Sequence, residues 1–152
     1  MKVVYINPFL GAAIAVLQAE THAEVRKGTI GMADGPLVSD DVTVLVGVTG
    51  RVRGVVLLNV SERTAKELVG AMQGTPVAVW DTLAESGIAE LGNVITGRAS
   101  SELESAGYPC TISPPTVVIG RGTQISTIHI QRLVIPLETR HGAISVHVAL
   151  QE

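Results

Sequence analysis

The segment VTVLVGVTGRVRGVVLLNV, residues 42–60, decides the fold. Two runs rich in β-branched residues, 42–48 and 52–60, flank Gly50 and Arg51, as a β-hairpin requires: branched side chains suit a pleated surface, and a tight turn needs a residue that tolerates positive φ. Working outward, the C-terminal side reads as a helix over 61–73, with Ser61 as its cap and Gly74 and Pro76 as its stop. On the N-terminal side a Gly/Asp/Pro loop at 34–36 is preceded by a strand at 23–31 and a helix at 8–20. Asn7 and Pro8 read as that helix's cap and first residue, and Phe9, Ala13, Val16 and Leu17 then fall along one side.

The second half opens with a long helix over 82–105, where Thr82 and Glu85 fit a capping box and Gly107 supplies the stop. Residues 109–119 are extended around Pro114 and Pro115, a strand covers 125–136, and 143–150 pairs with it across a polar turn at 138–142. Both halves, about 1–74 and 75–152, therefore run helix, strand, irregular loop, hairpin. At an offset of 86 residues, Asn7, Gly11, Ala13 and Leu17 fall on Asn93, Gly97, Ala99 and Leu103, the pattern of an internal duplication with pseudo-two-fold symmetry. The expected fold is a single α+β domain in which duplicated helix-and-strand halves share one β-sheet and the long helices pack on it. A chain of 152 residues can bury about 68–70% of its unfolded surface. Only Tyr5, Phe9, Trp80 and Tyr108 are aromatic, so Val, Ile, Leu and Ala must fill the core.

Composition also excludes several function classes. Eleven basic against fourteen acidic residues leave a net charge of -3, with the arginines scattered, so no nucleic-acid surface is expected. A single cysteine, Cys110, excludes an intramolecular disulfide and reads as a small core residue. The four histidines, at 22, 129, 141 and 147, lack metal-ligand spacing, and no metal site is expected. His147 alternates within a strand and reads as a sheet residue, and Trp80 as an anchor for the long helix. Gly120-Arg121-Gly122 lacks the third glycine of a dinucleotide fingerprint, and no Gly-Lys-Ser/Thr makes a P-loop. The apolar N-terminus invites a signal-peptide reading, but Asn7-Pro8 starts a helix inside it, and the run reads as too short and interrupted to span a bilayer. Cytoplasmic residence without membrane insertion is expected, and Asn59-Val60-Ser61 then has no meaning as a glycosylation sequon.

The chemistry concentrates on the long helix. At 100° per residue Ala84, Ile88, Leu91, Ile95 and Ala99 make one stripe, the face expected to pack on the sheet. Ser86, Glu90, Asn93, Gly97, Ser101 and Glu104 gather opposite, so Glu90 and Asn93 should project side by side into solvent. A mid-helix asparagine is a poor helix former, and Gly92 and Gly97 add about 1 kcal/mol each relative to Ala, which points to close approach by a neighbour or a partner. A carboxamide donates and accepts hydrogen bonds and can orient a water, while a carboxylate can grip a cation. Such a pair catalyses only if another molecule supplies the electrophile and most of the electrostatics. A solvated outer helix face is the plain alternative.

ELGNVITGR at 90–98, followed by SPPTVVIGR at 113–121, resembles the E-x-x-N signature and downstream proline motif of the CheC/CheX family of bacterial chemotaxis phosphatases. INPFL at 6–10 and VTVLVGVTGRVRGVV at 42–56 are similar to its single-site CheX branch. In the register of the repeat Glu90 falls on Val4, so one Glu/Asn site per chain is expected. The resemblance implies a CheC-like fold, a homodimer and, as partner, a phosphorylated CheY-like receiver domain that itself carries Mg²⁺; no cofactor is expected on this chain. It implies that Asn93 orients the hydrolytic water and that Glu90 pairs with the receiver's lysine. Ser86 falls where the broader signature has Asp or Ser, and Gly97 where the partner could approach. The competing expectation is a non-catalytic receiver-binding adaptor or motor-associated module. An exposed edge on the strand at 42–48 would favour the homodimer.

Overall fold

A computed structural model of the chain describes residues 2–152. Among the described residues ten strands and three α-helices follow in order: α1 (Ile6–Thr21), β1 (Arg26–Lys27), β2 (Gly31–Ala33), β3 (Leu37–Val38), β4 (Val42–Gly50), β5 (Arg53–Val60), α2 (Glu62–Gln73), α3 (Thr82–Ser105), β6 (Cys110–Ile112), β7 (Thr116–Ile119), β8 (Gln124–Ile125), β9 (Arg132–Thr139) and β10 (Gly142–Gln151). The main sheet has the order β1-β9-β10-β5-β4-β6, with β2 also on β9 and β7 also on β4, and all of its pairings are antiparallel. β3 and β8 make a separate two-stranded ribbon. This is the expected α+β architecture, with the helices on one face of an antiparallel sheet.

Period-two alternation builds the sheet's inner face. Val42, Val44, Val46 and Val48 of β4 point inward with Val56, Leu58 and Val60 of β5, and the second hairpin adds Leu133, Ile135, Leu137, Ile144, Val146, Val148 and Leu150. The helices close this core with Phe9, Ala13, Val16 and Leu17 from α1, Leu68 and Val69 from α2, and Ile88, Leu91, Ile95 and Leu103 from α3. Each fully buried Leu or Ile stabilises the fold by about 1.5–3 kcal/mol relative to exposure. β5 pairs along its full length with β10, Ile144 opposite Val60 through Gln151 opposite Arg53. Gly54 makes the close approach there possible: its φ is +148°, and a Cβ would lie 1.9 Å from the carbonyl oxygen of Ala149.

The hairpin at 42–60, the helix at 61–73 and the long helix at 82–105 fall where expected, and Ser61 caps α2 by accepting from the Thr64 N–H at 3.1 Å. Six expectations change. α1 begins at Ile6, continuing a single 3₁₀ turn at Val3–Tyr5, so Asn7 and Pro8 lie inside its first turn. Pro8 costs nothing there, because first-turn N–H groups have no partner within the helix. Asp81, not Thr82, caps α3, accepting from the Ala84 N–H at 2.9 Å. The strand expected at 23–31 is two short pieces, and the one expected at 125–136 begins at Arg132, after Ile128 and His129 with φ of 33° and 62°. β4 is not an edge, since β6 and β7 pair along its outer side, so the edge argument for a homodimer does not hold for this strand. Lastly, Val3–Thr21 forms a continuous 19-residue helical stretch, long and apolar enough to cross a membrane by length and composition. Here its apolar side is spent inside the core.

The outer face of the sheet is partly covered as well. Asn59 of β5 accepts from the Asp40 N–H at 2.8 Å and the Thr43 hydroxyl at 2.7 Å, holding the segment that follows β3 against the sheet. Arg132 of β9 reaches the Gly35 carbonyl at 2.6 Å and donates through Nε to His147 Nδ1 at 3.0 Å. A guanidinium only donates, so Nδ1 carries no proton and the Nε2–H donates to Ser145 Oγ at 2.9 Å.

Candidate functional site

α3 is a rigid beam. Ala84, Ile88, Leu91, Ile95, Ala99 and Leu103 are buried along one side, as the periodicity requires. Gly92 belongs to this side: a Cβ would stand 2.7 Å from Val44 Cγ1, so its role is the close seating of α3 on β4. Gly87 does the same for α2, where a Cβ would meet Val69 Cγ1 at 2.8 Å. Thr96 is buried and returns its hydroxyl to the Gly92 carbonyl at 2.8 Å, and Ser100 Oγ donates to the Cys110 carbonyl at 3.3 Å, fastening one flank of the helix to β6. A helix held this way on three sides can present its fourth face with little loss of order.

That fourth face carries the candidate residues. Ser86 and Glu90 are exposed, and Asn93 and Gly97 are half-buried. Glu90 and Asn93 differ by about 60° around the axis and about 4.5 Å along it, so their side chains emerge as neighbours. Asn93 lies two turns before Ser100, on the flank that faces β6, whereas Glu90 turns away from it. Among the described residues neither the Glu90 carboxylate nor the Asn93 carboxamide has a hydrogen-bonding or ionic partner. At Gly97 a Cβ would meet only Ile112 Cδ1, at 3.6 Å, so packing within the chain does not demand glycine.

Two depressions on the molecule lie away from the pair. One depression of about 370 Å³, lined by Lys66, Gly70, Pro76 and His141 among others, lies between α2 and the β9–β10 turn. Another of about 510 Å³ lies by the chain ends, lined by Lys2, Tyr5, His129 and Glu152 among others. Glu90 and Asn93 line neither, and among the described residues no group of three or more His, Cys, Asp or Glu side chains could hold a metal ion. What the face can do chemically is donate, accept and attract a cation, all toward a body placed against it. Leu83 stands one turn before Ser86 on the same side and is 77% exposed, although its type does not mark it as part of a polar face. An apolar residue three positions before a polar stripe was the available signal.

The model of the chemotaxis phosphatase CheX family matches residues 42–138, the span that contains Glu90 and Asn93. The chain is 30% identical over 123 residues to the CheY-P phosphatase CheX of Thermotoga maritima, covering 80% of this chain and 79% of that one. Its fold superposes on a CheC-like superfamily protein from Shewanella sp. PV-4 with a TM-score of 0.90 at 26% identity, over 100% of both chains. It also superposes on the Borrelia burgdorferi CheX, crystallised as a complex with CheY, BeF₃ and Mg²⁺, with a TM-score of 0.84 at 27% identity over 97% of this chain and 98% of that one. With a family model spanning more than half of its residues and a relative at this identity, the chain belongs to the chemotaxis phosphatase CheX family.

Proposed function

We propose that this protein hydrolyses the aspartyl phosphate of a CheY-like receiver domain, with Asn93 orienting the attacking water and Glu90 holding a lysine of the receiver. The observation that carries the reading is the placement of an unpartnered Glu/Asn pair on the outward face of a helix immobilised by packing on its other sides. The pair itself lacks an electrophile, and a phosphorylated receiver would bring one. CheX of Borrelia burgdorferi, similar in fold and sequence, forms a complex with CheY, BeF₃ and Mg²⁺.

In this mechanism the Asn93 carboxamide takes a hydrogen bond from a water and places its oxygen in line with phosphorus. The water oxygen forms the new P–O bond as the bond to the aspartyl oxygen breaks. The aspartate leaves as a free carboxylate, and the water's proton passes to the phosphate product or to solvent. Mg²⁺ would be held by the receiver and would stabilise charge on the phosphoryl oxygens. Glu90 fixes the register of the two proteins, so the gain comes from orientation, which a misplacement of about 1 Å can reduce roughly a hundredfold.

Phosphate release from phosphorylated receivers tests this directly. The protein should accelerate release, Asn93→Ala should lower kcat by about a hundredfold while still binding the receiver, and Glu90→Ala should act mainly through weaker binding. Full activity in Asn93→Ala would sink the assignment, and a receiver-binding adaptor would show that tolerance.

A further inference from the structure

Leu83 is the most exposed large apolar side chain among the described residues, at 77%. It is not there for the core, because Ala84 and Ile88 next to it already supply the buried stripe. It stands three residues before Ser86 and seven before Glu90, so the helical period sets it on the Glu90/Asn93 face. Val79, just ahead of the capping Asp81, is 69% exposed. Val79 and Leu83 thus set two large, mostly solvent-exposed apolar side chains at the head of the helix that carries Glu90 and Asn93, and a docked partner would bury them.

We propose that Leu83 is the apolar foothold on which the phosphorylated receiver seats, supplying affinity that the polar pair does not. This assignment rests on the receiver docking against α3 through Glu90 and Asn93. Two arguments carry it. Leu83 and Glu90 are separated by about 10 Å along the helix, and a standard interface covers about 800 Å² per partner, so a receiver engaged by Glu90 also covers Leu83. Glu90 is exposed in the free chain, and pairing it with a lysine inside an interface costs hydration that offsets much of the attraction, so an interface built on it gains its affinity from apolar burial beside it. The occupant is therefore a non-polar patch of the receiver flanking its phosphorylated loop.

The test compares the wild type with Leu83→Ser, Leu83→Met and Ile119→Ser, the last at an apolar residue of β7 that is 52% exposed. For each, steady-state dephosphorylation gives KM and kcat, and titration with the BeF₃⁻-treated receiver gives Kd. Leu83→Ser should raise KM and Kd by about tenfold with kcat kept at saturating receiver, the loss expected for a leucine-sized apolar contact. Leu83→Met should remain near wild type, and Ile119→Ser should change neither constant. An unchanged KM and Kd in a Leu83→Ser protein with a normal thermal melt would overturn the foothold. So would sedimentation showing that Leu83→Ser dissociates a homodimer without altering Kd. If the wild type binds the receiver yet does not speed its dephosphorylation, the catalytic reading fails, and the Kd shift still decides the foothold.

Discussion

Gly97 separates structural from functional use of a single residue. It lies one turn after Asn93, and a Cβ there would find only Ile112 Cδ1 at an ordinary 3.6 Å. Within the chain, Gly97→Ala should therefore be favourable, since alanine recovers up to about 1 kcal/mol of helix propensity. If the receiver's backbone approaches at this point, the same methyl obstructs it. The expected outcome is a melting temperature raised by a few degrees together with a roughly tenfold lower kcat/KM, measured by calorimetry and phosphate release. A stabilised protein with unaltered kcat/KM would remove Gly97 from the contact surface. At this scale much was legible from spacing alone: Glu90 and Asn93 emerge together because residues three apart on a helix are neighbours whatever the rest of the chain does. Asp81 was missed as the cap because it and Thr82 are both good capping residues, and the backbone alone chooses between them.

Two glycines on two helices make the case for the element scale. Gly92 and Gly11 both sit in helix interiors, where alanine is intrinsically better by about 1 kcal/mol. In α3 a Cβ at position 92 would stand 2.7 Å from Val44 Cγ1 and 3.3 Å from Val44 Cβ, and valine's χ1 is too stiff to yield easily. In α1 nothing lies within 4 Å of a Cβ at position 11. Gly92→Ala should therefore lose about 1–2 kcal/mol of stability, overpacking outweighing propensity, whereas Gly11→Ala should gain about 0.5–1 kcal/mol. Chemical denaturation of the two variants checks the pair, and a stabilised Gly92→Ala would mean that α3 can lift off β4 at no cost. The repeat register aligned Gly11 with Gly97, and both proved open to added bulk from their own chain. Element ends were legible where Ser61, Gly74 and Gly107 mark them. The stretch 125–131 was not, because Ile128 is a β-branched residue that gives no warning of the positive φ it adopts.

The whole molecule joins its far parts through buried polar contacts as well as through the core. Burial, aided by the Arg132 charge, lowers His147 from its ordinary 6.5 to about 4. Between these pH values the unfolded chain binds the proton and the folded one does not, so stability present above pH 6.5 is lost as pH falls toward 4, by about 1.4 kcal/mol per pH unit. Thermal melts of the wild type should weaken on acidification through this window more steeply than those of His147→Gln, which keeps an acceptor for Arg132 and a donor for Ser145 but does not titrate. Parallel curves would show that His147 does not govern acid stability. The strand order has the form an internal duplication would produce, and we read 1–74 and 75–152 as its two halves: β1 and β2 of the first half lie on β9 of the second, while β6 and β7 of the second lie on β4 of the first. By itself the sequence determined the α+β class, the buried stripe of α3 and the outward Glu90/Asn93 face, because helical and strand periods are local properties of a few consecutive residues. Only the tertiary structure decided that the short strands cross between halves, that Gly92 serves Val44, that β4 has no free edge, and that Arg132 links Gly35 to His147. Those contacts join segments far apart in the chain, and no local pattern names the partner.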